Sequence, residues 1–544
     1  MPCLDGTRTD IINQINCWIG LTSDTESGVL LTSDELSDSA ANSLIFWING
    51  SAGTGKTTIA YTIAKACDGK KILGASFFCS RDDASSSNPH LIFTTIAYQL
   101  GYFCPSFGDE VARVLKSNPD IGYSDLSYQL EQLIVNPLLT IGESFPSCVV
   151  VIDALDECKD DRITSLILAS LSRHVNQLSK LKILITSRPQ QNIVTEFQSN
   201  SLSAATKRFV LHEVQFGVVQ KDIKSYLMAE LAPIRELYGL RDSWPSTADI
   251  GALSCLSSGL FIFAATSVKF IGDANYSDPA GQLAKLLRGT TMLGGSSPYH
   301  HLDQLYLQVL NHAYPDISSD LAGRVKSVLG SIILLRDPLS ARNLEHLLNL
   351  NYESADSNYR PIQTTLVHLH SVVILPEDDT QVVRLLHPSF FDFLIDPDRC
   401  LNMKLVVDIG AQHTLLTQGC LHAMRDLRRN MCGIESSTAF QNEIAGLSAR
   451  ITRYIPPHLQ YACRHLTSHL ACAMVSDILV DQLKHFCSEG LLHWIEVCSL
   501  LGDLRRLLVS LDTVQRALAV RHPGRYGYMW LTLLCRQVSA RHPK

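Results

Sequence analysis

The chain has 544 residues, too many for one core, and on ordinary domain sizes it should hold about three to five domains. Apolar residues make up 46% and charged residues 18%, which excludes a disordered chain and fits a globular one. Its 46 basic against 53 acidic residues leave a net charge of -7, which argues against nucleic acid as the main partner.

The opening MPCLDGTRTD puts an acid where a secretory leader would be basic, and no apolar stretch follows it. The longest strongly apolar run, Leu260 to Ile271, is too short to span a bilayer and contains Lys269. The expectation is a cytoplasmic protein without a membrane span. The 16 cysteines are scattered, with none at C-x2-C or C-x4-C spacing, so they are expected as buried, reduced thiols.

Residues 1–40 form a lead-in. Ile11, Ile12, Ile15, Trp18 and Ile19 recur at helical spacing, and a Ser/Thr/Asp-rich stretch runs from Thr22 to Ser39. The pattern predicts a helix packed on the next domain and a polar link to its first strand. Thr7 and Arg8 lie either beside a ligand held by that domain or in a solvated lead-in, and the residues leave both open.

From 41 to 215 the pattern alternates strand and helix, which implies a parallel sheet covered on both faces. The predicted strands are Leu44–Ile48, Leu73–Phe78, Val149–Ile152, Ile183–Thr186 and Phe209–Leu211, with helices over Leu91–Tyr102, Tyr123–Val135 and Ile163–Leu178. In such sheets a ligand sits at the carboxyl ends of the strands.

The first strand runs into Gly50-Ser51-Ala52-Gly53-Thr54-Gly55-Lys56-Thr57-Thr58, and a helical pattern follows. A phosphate chain needs donors from many directions, and only a glycine-rich turn brings backbone N–H groups that close. The helix opening at Lys56 adds its positive end, Lys56 can reach the outer phosphates, and the Thr57 hydroxyl is the expected magnesium ligand. This is the loop of an α/β P-loop NTPase core.

The third strand ends in CVVVIDALDEC. A buried strand tip bearing carboxylates needs a counter-charge, so Asp153 is assigned to the magnesium opposite Thr57. Where many ATPases place a catalytic Glu, this chain has Ala154, so orienting water falls to Asp156 or to Glu157. In ITSRP after the fourth strand, Arg188 is placed to sense the terminal phosphate, and Arg81 in FFCSRDD follows the same logic with less support.

In their order, CLDGTR, GSAGTGKTT, SFFCSR, VVVIDALDEC and ITSRP resemble the NACHT-type NTPases of the STAND class, in the form typical of fungal multidomain proteins. The similarity extends to about residue 400 and more faintly to about 510. It implies a switch inside the cell that binds ATP or GTP with magnesium, rests with ADP, hydrolyses slowly and self-associates on activation. The family's roles lie in signalling, self/non-self recognition or cell death. Two further readings stay open from the residues: a nucleotide-binding scaffold without turnover, and a P-loop kinase.

Residues 216–290 read as helical, KDIKSYLMAEL and then IGALSCLSSGLFIFAATSVKFI, where the resemblance implies a small helical domain over the base. Its usual Gly-x-Pro is Gly259-Leu260-Phe261 here. Gly289–His301 reads as a linker. Over 300–400, helices end in two β-branched runs flanking PEDDT, the pattern of a winged helix. The resemblance implies that this domain locks the resting state and that His387 reaches the β-phosphate of ADP. The region SARNLEHLLNLNYESAD lacks the basic cluster a DNA reader needs. Residues 401–544 read as helical throughout without a fixed repeat, a region through which protein partners are expected to bind. With no sensor repeats or effector domain legible, the expectation is a minimal or truncated member.

Overall fold

The computed structural model describes residues 2–21, 43–81, 86–158, 161–289, 299–315, 317–350, 360–376, 378, 380–434, 444–504, 507 and 511. The chain divides into two compact units, Met1–Leu305 and Tyr306–Lys544.

The first unit is built on parallel strands β1 (Ile45–Asn49), β2 (Leu73–Phe78), β3 (Cys148–Asp153), β4 (Leu181–Ser187) and β5 (Thr206–Val210), in the order β2-β3-β4-β1-β5. It is the expected α/β P-loop core with a five-stranded parallel sheet. Strands β1 and β3 are buried at every residue, as mid-sheet strands must be when helices cover both faces. Alternate side chains serve opposite cores. Ile45, Trp47, Val150, Ile152, Ile183 and Ile185 enter one, with Ile92, Phe93 and Ile96 of the helix Leu91–Phe103. Phe46, Ile48, Val149, Val151 and Leu184 enter the other, with Ile59 and Ile63 of Lys56–Gly69 and Ile11, Ile15 and Trp18 of Thr9–Ile19. The lead-in helix thus packs on the sheet domain.

The boundaries differ where apolar runs mislead. Strand β5 lies earlier than Phe209–Leu211 because the edge position tolerates Lys207 and Arg208, whose cationic groups sit over the rings of Phe46 and Trp47. The predicted helix Tyr123–Val135 instead starts at Leu126, where Asp125 caps it by accepting the Tyr128 N–H. It continues through a π-turn, Glu131–Val135, to Ile141. The helix predicted to reach Leu178 ends at His174, followed by a 3-10 turn at Val175–Gln177.

Helices Phe216–Leu237, Thr247–Leu256, Phe261–Ile271 and Pro279–Gly289 follow. The stretch IGALSCLSSGLFIFAATSVKFI forms two helices because Ser258 and Gly259 between them take left-handed φ values of 48° and 82°. The predicted linker is shorter than expected at its far end, since His300 and His301 open the helix His300–Ala313. Residues 290–298 and the Thr22–Ser39 stretch lie outside the described residues.

In the second unit, helices Ser319–Leu334, Ala341–Leu348 and Pro361–Leu366 precede an antiparallel pair, β6 (Val373–Ile374) and β7 (Arg384–Leu385), and then the helix Pro388–Leu394. Helices Ile409–Ala423, Leu447–Tyr454, Pro457–Leu470, Asp477–Glu489 and Leu491–Leu500 follow. The helix expected through GCLHAMRDLRRNMC stops at Ala423 and a 3-10 turn, Met424–Asp426. Beyond it Asn430 and Gly433 are left-handed, and the Asn430 carboxamide oxygen accepts the Ile434 N–H. The predicted helix past Leu500 likewise breaks at Gly502, with φ 75°. Among the described residues no helix is long and apolar enough to cross a membrane.

A buried polar chain ties this unit together. The Nδ1 atoms of His413 and His469 lie 2.9 Å apart, His469 Nε2 is 2.7 Å from the Tyr461 hydroxyl, and that hydroxyl accepts the Arg336 N–H. Burial holds His469 well below the usual histidine range. Burial, reinforced by the stacked ring of His346, lowers His458 to about 4. Both groups stay neutral in the folded unit while the unfolded chain takes up protons near 6.5, so stability is full above that value and drains away as pH falls toward 4. Urea midpoints for the second unit should fall between pH 7 and pH 5, and His458→Gln should flatten the slope.

Candidate functional site

All five parallel strands point their carboxyl ends to one edge of the sheet. Asn49 stands opposite Ser187 and Val210, and Phe78 opposite Asp153, so the five strand tips line one edge. Because β4 lies between β1 and β3, the tip that carries Arg188 falls between the phosphate loop and the acids.

The loop needs its glycines for identifiable reasons. Gly53 and Gly55 have φ values of 78° and 92°, which L side chains rarely adopt. A Cβ on Gly50 would meet Leu211 Cβ at 3.0 Å and Thr54 Oγ1 at 3.1 Å. The loop is pinned by its own side chains and from outside. Lys56 Nζ donates to the Gly50 and Ser51 carbonyls at 2.8 and 3.0 Å, Thr54 Oγ1 to the Ser51 carbonyl at 2.8 Å, and Ile262 N–H to the Gly53 carbonyl at 3.2 Å. Arg8 Nη2 donates to the Thr54 carbonyl at 2.7 Å, its backbone N–H to Asp222 at 3.0 Å, and its guanidinium lies 4.7 Å from the Phe261 ring centre. Arg8 is therefore a buried brace on the loop and not a solvated lead-in. The amide of Ala52 donates to the Tyr299 hydroxyl at 3.1 Å. Thr58 is half-buried, and its carbonyl accepts the Thr62 hydroxyl.

Asp153 is 1% exposed. Burial raises its pKa, and hydrogen bonds from the Thr186 and Thr57 hydroxyls, with the charge of Lys56, oppose that rise. Thr186 Oγ1 donates to Asp153 Oδ1 at 2.6 Å and accepts the Ala154 N–H at 2.9 Å. Thr57, in the first turn of the loop helix, steadies the charge of Asp153 at the tip of β3, so the two oxygen donors belong to one site. Among the described residues no three His, Cys, Asp or Glu side chains group as a metal cage. A magnesium ion here would fit these two donors, with phosphate and water completing its shell.

Ala154 takes a left-handed φ of 53° and opens the 3-10 turn Leu155–Glu157, which turns the next two acids to different duties. Asp156 is held by Arg188 twice, by its backbone N–H at 2.9 Å and by its Nε at 3.2 Å. Glu157 accepts the Arg81 N–H at 3.4 Å. Burial, then the nearby Asp156, raises Glu157 to about 7 against the pull of Arg81 and Arg188. Burial also lowers Lys56 to about 8, with Arg188 adding to the effect and Asp156, Asp153 and Glu157 opposing it.

His387 belongs to the second unit and caps the helix Pro388–Leu394. Its Nδ1 accepts the Ser389 N–H at 3.1 Å. An amide only donates, so the neutral ring carries its proton on Nε2. Sequence reasoning missed Thr186, Asp222 and Tyr299. Thr186 was in view within ITSRP, but the charge of Arg188 drew the reading.

The family model for Nephrocystin 3, N-terminal, matches residues 29–188, from ahead of the loop through Arg188. Among solved structures, the chain is similar to Cdc6p from Pyrobaculum aerophilum at 11% identity and a TM-score of 0.33, over 71% of this chain and 91% of that one. It is similar to the Aeropyrum pernix ORC1 protein, solved with DNA, at 14% identity and a TM-score of 0.29, over 66% and 85%. A Drosophila ORC assembly bound to AT-rich DNA and Cdc6 matches at 11% identity and a TM-score of 0.25, over 97% and 69%. No curated protein matches the sequence.

Replacing Thr186 by Val keeps the shape but removes a donor from the buried Asp153 and leaves the Ala154 N–H without its acceptor. The first unit should lose about 1.5–3 kcal/mol, read as a lower urea midpoint with unchanged slope.

Proposed function

We propose that this chain is a NACHT-type signalling switch that binds ATP or GTP with magnesium, holds ADP at rest and hydrolyses the triphosphate slowly. The observation that carries this reading is the buried carboxylate of Asp153 at the strand tip, with the Thr57 hydroxyl and the buried Lys56 at the start of the loop helix both acting on its charge, which makes Thr57 and Asp153 the candidate pair of magnesium ligands. In this reading Lys56 leaves the loop carbonyls for the phosphates, the loop amides from Ser51 to Thr58 cradle them, and Arg188 senses the terminal one. The ion supplies charge neutralisation between the phosphates when bound.

Of the two candidate acids, Glu157 fits the water-activating base, since a pKa of about 7 lets it both take and release a proton near neutrality. Asp156, engaged by Arg188 at both oxygens, fits a positioning role. The winged-helix unit closes over the diphosphate through His387, and triphosphate favours an open form that self-associates. Protein partners bind through the C-terminal helices, and the protein acts in the cytoplasm. A scaffold without turnover is the second reading, favoured by the residue after Asp153 being Ala154.

Calorimetry with Mg·ATP and Mg·GTP tests the site: Lys56→Ala should weaken binding by about a hundredfold or more, the loss of two charge-assisted contacts, with the thermal transition retained. Unchanged affinity would reject the assignment. Glu157→Gln should lower turnover by about 10²–10⁴ with binding intact; no turnover in the unsubstituted protein favours the scaffold. The pH profile of kcat/KM should rise through about 7 as Glu157 loses its proton and fall above about 8 as Lys56 loses its own.

A further inference from the structure

The contacts that brace the phosphate loop are of two chemical kinds. The carbonyls of Gly50, Ser51, Gly53 and Thr54 are each taken by a donor, from Lys56, Ile262, Arg8 or the loop itself. An anion has no use for a carbonyl, so those of Ile262 and Arg8 can persist when the loop is filled. The Ala52 N–H is different, because it donates to an oxygen, that of Tyr299, at 3.1 Å. That is the role a phosphate oxygen plays toward a loop amide. One N–H makes one good hydrogen bond, so the two oxygens compete.

Tyr299 is tied to more than the loop. Its carbonyl accepts the Asp303 N–H, which fastens it to the first turn of the helix His300–Ala313. We propose that Tyr299 is a latch: its hydroxyl stands in for a phosphate oxygen at Ala52, and a bound polyphosphate displaces it and frees the first turn of that helix from the loop. The proposal rests on the reading of Gly50–Thr58 as a phosphate site and adds to it a residue that senses filling.

The test uses the full chain and hydrogen-exchange mass spectrometry, with Mg·ATP, Mg·GTP and inorganic tripolyphosphate as probes. Without ligand, Tyr299→Phe should speed exchange in the peptide containing Ala52, and calorimetry should show about three- to tenfold tighter binding, since one competing hydrogen bond is gone. In the unsubstituted protein, where folding of a variant is not at issue, the probes should speed exchange over residues 299–305. If the protein binds the probes but Tyr299→Phe binds equally or more weakly, or residues 299–305 keep their exchange rate, the latch is wrong and the phosphate site stands. If none of the probes binds while Tyr299→Phe still speeds exchange at Ala52, the phosphate reading fails and the latch falls with it.

Discussion

A carboxylate at the end of a fully buried strand cannot be left to itself, and Asp153 sets the terms for everything around it. At 1% exposure it has no bulk water to lean on. Its hydrogen-bond partner is the Thr186 hydroxyl one residue from the end of β4, and the Thr57 hydroxyl in the first turn after the loop helps to hold its pKa down. The sheet order makes the first possible, since β4 runs beside β3. The left-handed Ala154 then carries the chain away from the strand into the 3-10 turn Leu155–Glu157.

Charge around that point is balanced in pairs, and the pairing decides what each acid can do. Arg188 takes both oxygens of Asp156, which leaves Glu157 as the carboxyl whose proton affinity is shifted to the neutral range. Lys56 lies close enough to all three acids to be held partly charged in spite of its burial. Any anion that enters shifts these equilibria together, because the same few charges act on each other at short range. Binding and protonation at this edge of the sheet are therefore one process.

Much of this was legible in the order of residues. The three inner strands were legible because parallel mid-sheet strands must be apolar on both faces, and the glycine turn announces itself by a spacing that few other structures need. The edge strand slipped because Lys207 and Arg208 look polar in the sequence, whereas their charges rest on Phe46 and Trp47. Helix ends were misplaced where a single residue decides them, as at Asp125, Ser258 and Gly502. The partners Asp222 and Tyr299 were out of reach for a different reason. Each meets the loop or its brace across more than two hundred residues of chain, and no local pattern encodes such a meeting.

Trp47 sits three residues before the glycine turn, with its indole N–H on Ser187 at 2.9 Å and its ring stacked on Phe197 at 4.0 Å and 10°. Ser187 is the neighbour of Arg188, so the indole is wired directly to the strand tip that faces the loop. Its dry, rigid surroundings make its ultraviolet emission sensitive to small rearrangements of that tip. Once the chain's four other tryptophans are replaced, that indole is an optical gauge at the edge of the sheet, readable without a dye.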